Sequence, residues 1–193
     1  EMFTSTGDME QTSKMLKEAV ANVKAGVNRR TSAEVRLALA RFRFSRDAYE
    51  RALQDATEAR REYQEINDRR GMADCDHLVG LMNELRGERE KALTLLQRAL
   101  EEHRALADQF GEGKDLTAIG VHYKNIGDQD KAMEYFKKAL DLRKGIGDRR
   151  GYAANLANIG NLKRHHNSLD EAIQTLDQAL AVYREVSDKK GEA

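Results

Sequence analysis

Cys75 and His77 stand two residues apart, and His165 and His166 are adjacent. These are residue types that ligate zinc. A structural zinc needs four converging ligands in two spaced pairs, and residues one or two apart on a helix point to different faces. The spacing therefore reads as a buried thiol and histidines on a surface, and no metal is expected. Gly145-Ile-Gly147-Asp-Arg-Arg-Gly151 has the outline of a dinucleotide fingerprint, but a fingerprint must follow a strand and open the helix of a βαβ unit. In Gly111-Glu-Gly113-Lys114 the second glycine comes too soon for a phosphate loop, and no Ser or Thr follows the lysine. No Ser-His-Asp or Cys-His constellation is legible. The expectation is a protein without catalytic residues or cofactor.

The remaining chemistry is in the charges. Arg41-Phe-Arg-Phe-Ser-Arg46 interleaves basic and aromatic residues as single-strand nucleic-acid surfaces do, and residues 24–61 hold ten Lys or Arg against five Asp or Glu. Yet Phe42 and Phe44 fall on different sides of a helix, and the whole chain carries 33 Lys plus Arg against 33 Asp plus Glu. A neutral total gives no general attraction to nucleic acid or anionic lipid, so neither is expected as a partner. With 34% charged residues no stretch can span a membrane. A lone cysteine and no signal-like apolar opening predict a reducing, cytoplasmic setting.

The elements behind these residues are set by a repeat. Shifted by 40 positions, the 193-residue chain falls onto itself. Ala52, Ala92, Ala132 and Ala172 align, as do Ala19, Ala59, Ala99, Ala139 and Ala179. Ala40, Gly80, Gly120 and Gly160 form a small-residue column, and Asn28, Asp68, Asp108, Asp148 and Asp188 a column of helix N-caps. Second start signals fall midway at Asp8, Asp128 and Ser168, the last predicted as a Ser168–Glu171 capping box. Between caps, apolar residues recur at three and four, as in Ala132, Met133, Phe136, Ala139 and Leu140. With no proline and 6% aromatic residues, this predicts an all-α solenoid of antiparallel hairpins, helix A and helix B joined near Gly87 and Gly127.

These residues resemble the tetratricopeptide repeat, whose pattern places a small residue at position 8, an aromatic at 11, Gly at 15, Ala at 20, a large apolar residue at 24 and Ala at 27. The repeat from Gly113 matches with Gly120, Tyr123, Gly127, Ala132, Phe136 and Ala139. The repeat from Ala153 matches with Gly160, Ala172, Leu176 and Ala179 but has Lys163 at the aromatic position and Asn167 at the glycine. That from Ala33 keeps Ala40, Ala52 and Ala59 while Arg43 and Ala56 replace large apolar residues. The 40-residue period resembles the longer variant of Leu-Gly-Asn-type polarity adaptors and bacterial regulators. The resemblance implies a right-handed superhelix with full repeats at 33–72, 73–112, 113–152 and 153–192 and a partial one at 1–32. Phe3 and Gly7 place the opening inside a helix A, and Asp188 reads as the cap of another, as expected of a segment from a longer array or larger protein.

The resemblance further implies that positions 2, 5, 9, 12 and 13 of each helix A line a concave groove. These are Glu34, Leu37, Arg41, Phe44 and Ser45, then Asp74, His77, Leu81, Glu84 and Leu85. They continue with Lys114, Thr117, Val121, Lys124 and Asn125, and with Ala154, Ala157, Asn161, Arg164 and His165. Candidate binding residues are Arg41, His77, Leu81, Glu84, Val121, Lys124, Asn125, Asn161 and Arg164. Apolar residues among charges of both signs predict a peptide or helix ligand of mixed charge with apolar anchors. The clamp for acidic chaperone tails found in some relatives needs Lys and Asn at positions 5 and 9, and no repeat carries that pair. The expected function is a protein-interaction scaffold, with a sensor domain of a signalling protein and a self-assembling array as rivals. An apolar stripe on the last helix B (Ile173, Leu176, Leu180) predicts homo-association through uncapped ends.

Overall fold

The computed structural model describes residues 14, 15, 18, 28–165 and 168–191. Most of the expected partial repeat 1–32, with Phe3, Gly7, Asp8 and Ala19, lies outside them, as do His166, Asn167, Glu192 and Ala193. From Asn28 on, the chain forms α1 (Arg29–Phe44), α2 (Tyr49–Glu65), α3 (Arg69–Leu85), α4 (Arg89–Ala105), α5 (Gln109–Asn125), α6 (Gln129–Gly145), α7 (Arg149–His165) and α8 (Leu169–Gly191). No strand occurs among the described residues. The chain divides into two compact units, Glu1–Arg98 and Ala99–Ala193, with the boundary inside α4.

The period comes from helix and turn lengths. Helices α2 to α7 each hold 17 residues, and three residues join each to the next, which gives 20 per helix and 40 per hairpin. Each of the six turns from α1 to α7 has one left-handed residue: Asp47, Asn67, Gly87, Ala107, Gly127 and Gly147. From Asn67 onward the turn bonds repeat. Asp68 N–H donates to Tyr63 O (2.9 Å) and Asn67 N–H to Gln64 O (3.1 Å), the Schellman pattern that satisfies carbonyls at a helix end. Asp68 also accepts from Gly71 N–H at 3.0 Å, so one residue closes α2 and caps α3. Asp108 does the same for Gly111, Asp128 for Lys131 and Asp148 for Gly151. Asn28 caps α1 through Arg30 N–H.

Two sequence expectations need correcting here. Ser168 N–H donates to Lys163 O at 3.3 Å, and Glu171 reaches across to Lys163 Nζ at 3.0 Å. The Glu171 half of the capping box is therefore not made, because Ser168 N–H and the Glu171 carboxylate both bond to Lys163. At Asp188 there is no cap, because α8 runs through to Gly191. Ser187 Oγ donates to Tyr183 O at 2.9 Å, a bond within a continuing helix.

The alanine and glycine columns bring the helices of each hairpin close. Ala52, Ala59, Ala132 and Ala139 are fully buried. A Cβ on Gly120 would lie 2.6 Å from the Phe136 ring, and one on Gly80 2.9 Å from Leu96. Across each hairpin one register pair varies in chemistry. Arg43 pairs with Asp55, Tyr123 stacks on Tyr135 with centroids 5.4 Å apart, and Lys163 donates to Thr175 Oγ1 at 3.4 Å. Arg43 and Lys163, two of the three departures from the family aromatic (Asn83 is the other), are thus both satisfied across the hairpin.

Candidate functional site

Helix A side chains at successive register positions form a stripe in each unit. In the first unit, Asp74, His77, Leu81 and Glu84 follow one another at three- and four-residue steps along α3, one side of a helix. Arg41 of α1 reaches this stripe through an ion pair with Asp74 at 3.0 Å. His77, Leu81 and Glu84 are half-buried, and Arg41 is exposed. Beside Arg41 and Asp74 lies a cleft of ≈ 340 Å³, into which Glu34, Arg70 and the edge of Tyr63 also project. Leu85, at 60% exposure, continues the apolar part of the surface. Leu37, expected on this face, lines the floor of this cleft but is only 4% exposed, packed with Ala40 and Tyr63. Its apolar side chain has a pocket to enter, while the polar His77 and Thr117 at the same register stay half-buried.

In the second unit, Thr117, Val121 and Lys124 follow the same steps on α5, with Asn125 beside them, and Ala157, Asn161 and Arg164 on α7. Lys124, Asn125 and Arg164 are exposed and Asn161 is half-buried. Val121 packs partly against the core of Ala132, Phe136, Ile159 and Leu162, so only part of it faces outward. Thr117 Oγ1 and Asn155 Oδ1 lie 3.0 Å apart, joining α5 to α7. His165 ends α7, and its side chain lies outside the described residues.

The sequence reading did not register a polar layer beneath the stripes. Arg143 Nη2 donates to Gly113 O (3.0 Å) and Thr117 Oγ1 (3.2 Å), and Nη1 to Asp148 (3.1 Å). His103 Nδ1 lies 2.6 Å from Asp115 Oδ2, both fully buried. Tyr63 is buried with Cys75. Tyr63, His103 and Arg143 occupy the same position of successive repeats, and each lies over a glycine eight residues on. A Cβ would fall 2.3 Å from Tyr63 at Gly71, 2.4 Å from His103 at Gly111 and 1.5 Å from Arg143 at Gly151. That explains Gly111, Gly113 and Gly151, which make room for a ring or guanidinium, while Gly147 is the left-handed turn residue. The signal was available as two aligned columns, Tyr63/His103/Arg143 and Gly71/Gly111/Gly151.

Little catalytic chemistry follows from this arrangement. Burial, reinforced by Asp74 and Asp76, pushes the Cys75 thiol up to about 12, so it stays protonated and a poor nucleophile at neutral pH. No group of His, Cys, Asp or Glu is placed to hold a metal among the described residues. The arginines of the basic segment form ion pairs: Arg36 with Glu58 and Glu62, Arg43 with Asp55, Arg60 with Asp76. Phe44 packs on the core of its unit and meets Tyr49 edge-on. No described helix is long and apolar enough to cross a membrane.

Helical hairpins in a 40-residue register, closed by small residues, define an all-α tetratricopeptide-like repeat protein. A family profile described as Tetratricopeptide repeat matches residues 72–145 and 116–185, together more than half of the 193 residues, and the chain belongs to that family. No curated protein matches it in sequence. Among solved structures, it is similar to a Rap protein complexed with Competence and Sporulation Factor, at 18% identity, TM-score 0.86, over 96% of this chain and 52% of that one. Aspartyl phosphate phosphatase F from Bacillus subtilis matches at 17% and TM-score 0.83, over 96% and 50%. A signal transduction ATPase with numerous domains and a tetratricopeptide repeat sensor, from Pyrococcus horikoshii, matches at 19% and TM-score 0.75, over 97% and 28%. The chain spans about half of the first two proteins and less of the third.

Proposed function

We propose that the chain is a non-catalytic protein-recognition module, and that helix A stripes in each unit bind a peptide or helix. The reading rests on the Asp74–His77–Leu81–Glu84 stripe with Arg41, which sets an accessible apolar residue among charges of both signs on a rigid helix pair. Apolar anchors ringed by orienting polar groups are how interfaces concentrate energy. The complex of the similar Rap protein with Competence and Sporulation Factor lends the reading support. In the first unit Arg41, His77 and Glu84 orient a mixed-charge ligand around Leu81. In the second, Lys114, Lys124 and Arg164 are exposed along the same positions, so this face favours acidic groups, with Asn125 and Asn161 as amide contacts beside Val121. A sensor role inside a larger signalling protein uses the same surface, and the similar sensor-bearing ATPase is its support.

The test is selection of ligands from a random peptide display library, followed by affinity measurement. Selected peptides should carry apolar anchors flanked by charges. Leu81→Glu should weaken those bound by the first unit more than tenfold, about 1.4 kcal/mol, with helicity unchanged, and Lys124→Glu should do so for ligands of the second. Lys137→Glu and Gln178→Glu on the B helices should change little. Loss of binding in the helix B variants with retention in Leu81→Glu would move the site to the opposite face.

A further inference from the structure

The helix A face extends one step nearer the helix start than Asp74 and Lys114. In the first unit Arg30 and Arg70 line the same cleft as Leu37, Arg41 and Asp74, which places their register position on the stripe's face. In the second unit that position holds Phe110 and Arg150. Phe110 is 55% exposed, in the first turn of α5, and its ring adds little to the core.

The two units use the charges of this face differently. In the first, Arg30 pairs with Asp68 at 3.2 Å and Arg41 with Asp74 at 3.0 Å. In the second, Lys114, Lys124, Arg150 and Arg164 are exposed and form no ion pair among the described residues. No acidic residue lies along α7. The two on α5 turn to α4, Glu112 to Arg104 at 2.8 Å and Asp115 to His103 at 2.6 Å. Yet residues 99–193 hold 15 Lys or Arg against 16 Asp or Glu. Positive charge is thus gathered on one face of a near-neutral unit, where it raises the local concentration of anions.

The spacing says what kind of anion fits. At 1.5 Å per residue, Lys114 and Lys124 stand about 15 Å apart along α5, and Arg150 and Arg164 about 21 Å apart along α7. Between these cationic ends lie Val121, Ala157 and Asn161, small or uncharged. An extended chain advances about 3.3 Å per residue, so about five residues bridge the ends. Single-stranded nucleic acid is held by stacking successive bases on aromatic side chains. Phe110 is the one exposed ring among the described side chains of α5 and α7, which suits a single apolar anchor.

Resting on the helix A reading of the binding surface, we propose that the α5–α7 face binds an extended acidic segment of a partner protein. An apolar side chain of that segment seats on Phe110. Its carboxylates meet Lys114 and Arg150 at one end and Lys124 and Arg164 at the other, and Asn161 offers its amide to the ligand backbone between them.

The probe is a fluorescein-labelled peptide, Leu-Asp-Glu-Ser-Gly-Ser-Glu-Asp, titrated into the full chain and followed by anisotropy. Binding should be saturable at low ionic strength and weaken as salt rises. Lys124→Glu with Arg164→Glu should weaken it at least about tenfold, and Phe110→Ser about fivefold. A peptide with Ser in place of Leu should lose its sensitivity to Phe110→Ser, a coupling that a folding defect would not produce. Lys137→Glu with Lys144→Glu removes the same charge from exposed positions of α6 and should change binding by less than about twofold. No saturable binding at millimolar peptide, or binding indifferent to the Lys124 and Arg164 changes, would overturn the proposal. Equally tight binding of an oligothymidylate with the same dependence on those cations would overturn it too, in favour of nucleic acid. Library peptides that bind through Val121 but carry no acidic residues would sink this ligand class and leave the helix A surface standing. Loss of binding only in helix B variants would remove both.

Discussion

Position 76 in the first unit and position 116 in the second occupy the same place in the repeat and are filled by opposite chemistry. Asp76 is 2% exposed and held by two arginines, Arg60 at 2.6 Å and Arg98 at 2.6 Å. Leu116 is also 2% exposed, and the place of Arg60 is taken by Leu100 and, one repeat on, by Leu140 opposite Leu156. The hairpin pair differs in the same way, Arg43–Asp55 in one unit and Tyr123–Tyr135 in the other. Burial at Asp55 outweighs the attraction of Arg43 and raises its carboxyl above the ordinary range. The fold thus requires volume and closure at these places but does not dictate polarity. A buried ion pair adds a desolvation cost that an apolar pair avoids.

The largest expected effect breaks that contrast directly. Asp76→Ala should cost about 3 kcal/mol, the lower end for breaking a buried pair, because Arg60 and Arg98 are part-exposed and can return to water. Installing the second unit's solution, Arg60→Leu with Asp76→Leu, should bring stability back to within about 1 kcal/mol of the parent or above it. Urea denaturation of the three proteins measures both. If the double variant is as unstable as Asp76→Ala, the ionic layer has a structural role beyond filling space.

The contrast also marks what the sequence could reveal. The period, the caps and the small-residue columns were legible because each rests on local rules: a short polar side chain at a cap, no side chain where helices touch. The candidate stripe was legible only as a register. How far each member is exposed depends on its own polarity, as Leu37, nearly covered at the floor of its cleft, shows beside the half-buried His77. The buried polar layer was hidden because Arg143, His103 and Asp115 look like surface residues one at a time. Only the glycine eight residues after each large side chain gives them away. Asp188 carries a cap's identity but lies within a helix, because a cap forms only where the chain turns.

The glycines between helix A and helix B also differ between the two units. Gly120 faces the ring of the fully buried Phe136 at 2.6 Å, whereas Gly80 faces the side chain of Leu96 at 2.9 Å. Phe136 and Leu96 are both fully buried, and the contact at Gly80 involves Leu96 Cγ as well as a terminal carbon, so both side chains must shift, the leucine by less. Gly120→Ala should therefore cost about 2 kcal/mol as overpacking. Gly80→Ala should cost less, about 1 kcal/mol, since the contact is longer and helix propensity returns part of the loss. Equal losses in thermal unfolding at the two positions would show that the backbones, not the facing side chains, set the closeness.

The smallest expected effect lies in the turns. Asn67, Ala107 and Gly147 stand at one register between a helix B and the next helix A, all left-handed, at φ 54°, 54° and 71°. Left-handed geometry sets Cβ against the following carbonyl and costs an ordinary residue about 1 kcal/mol. Asn tolerates it through its short polar side chain, and Gly has no Cβ. Ala has neither advantage, so the Ala107 turn holds its shape because the Schellman bonds impose it, with Asp108 N–H on His103 O at 2.8 Å. Ala107→Gly should then stabilise the protein by about 0.5–1 kcal/mol, the relief of strain less glycine's greater unfolded-state entropy. Gly147→Ala should destabilise it by about 1 kcal/mol, and Asn67→Gly should change it by only a few tenths. Urea midpoints at constant m-value would read all three. A destabilised Ala107→Gly would mean that the alanine methyl makes a contact worth more than the strain it carries.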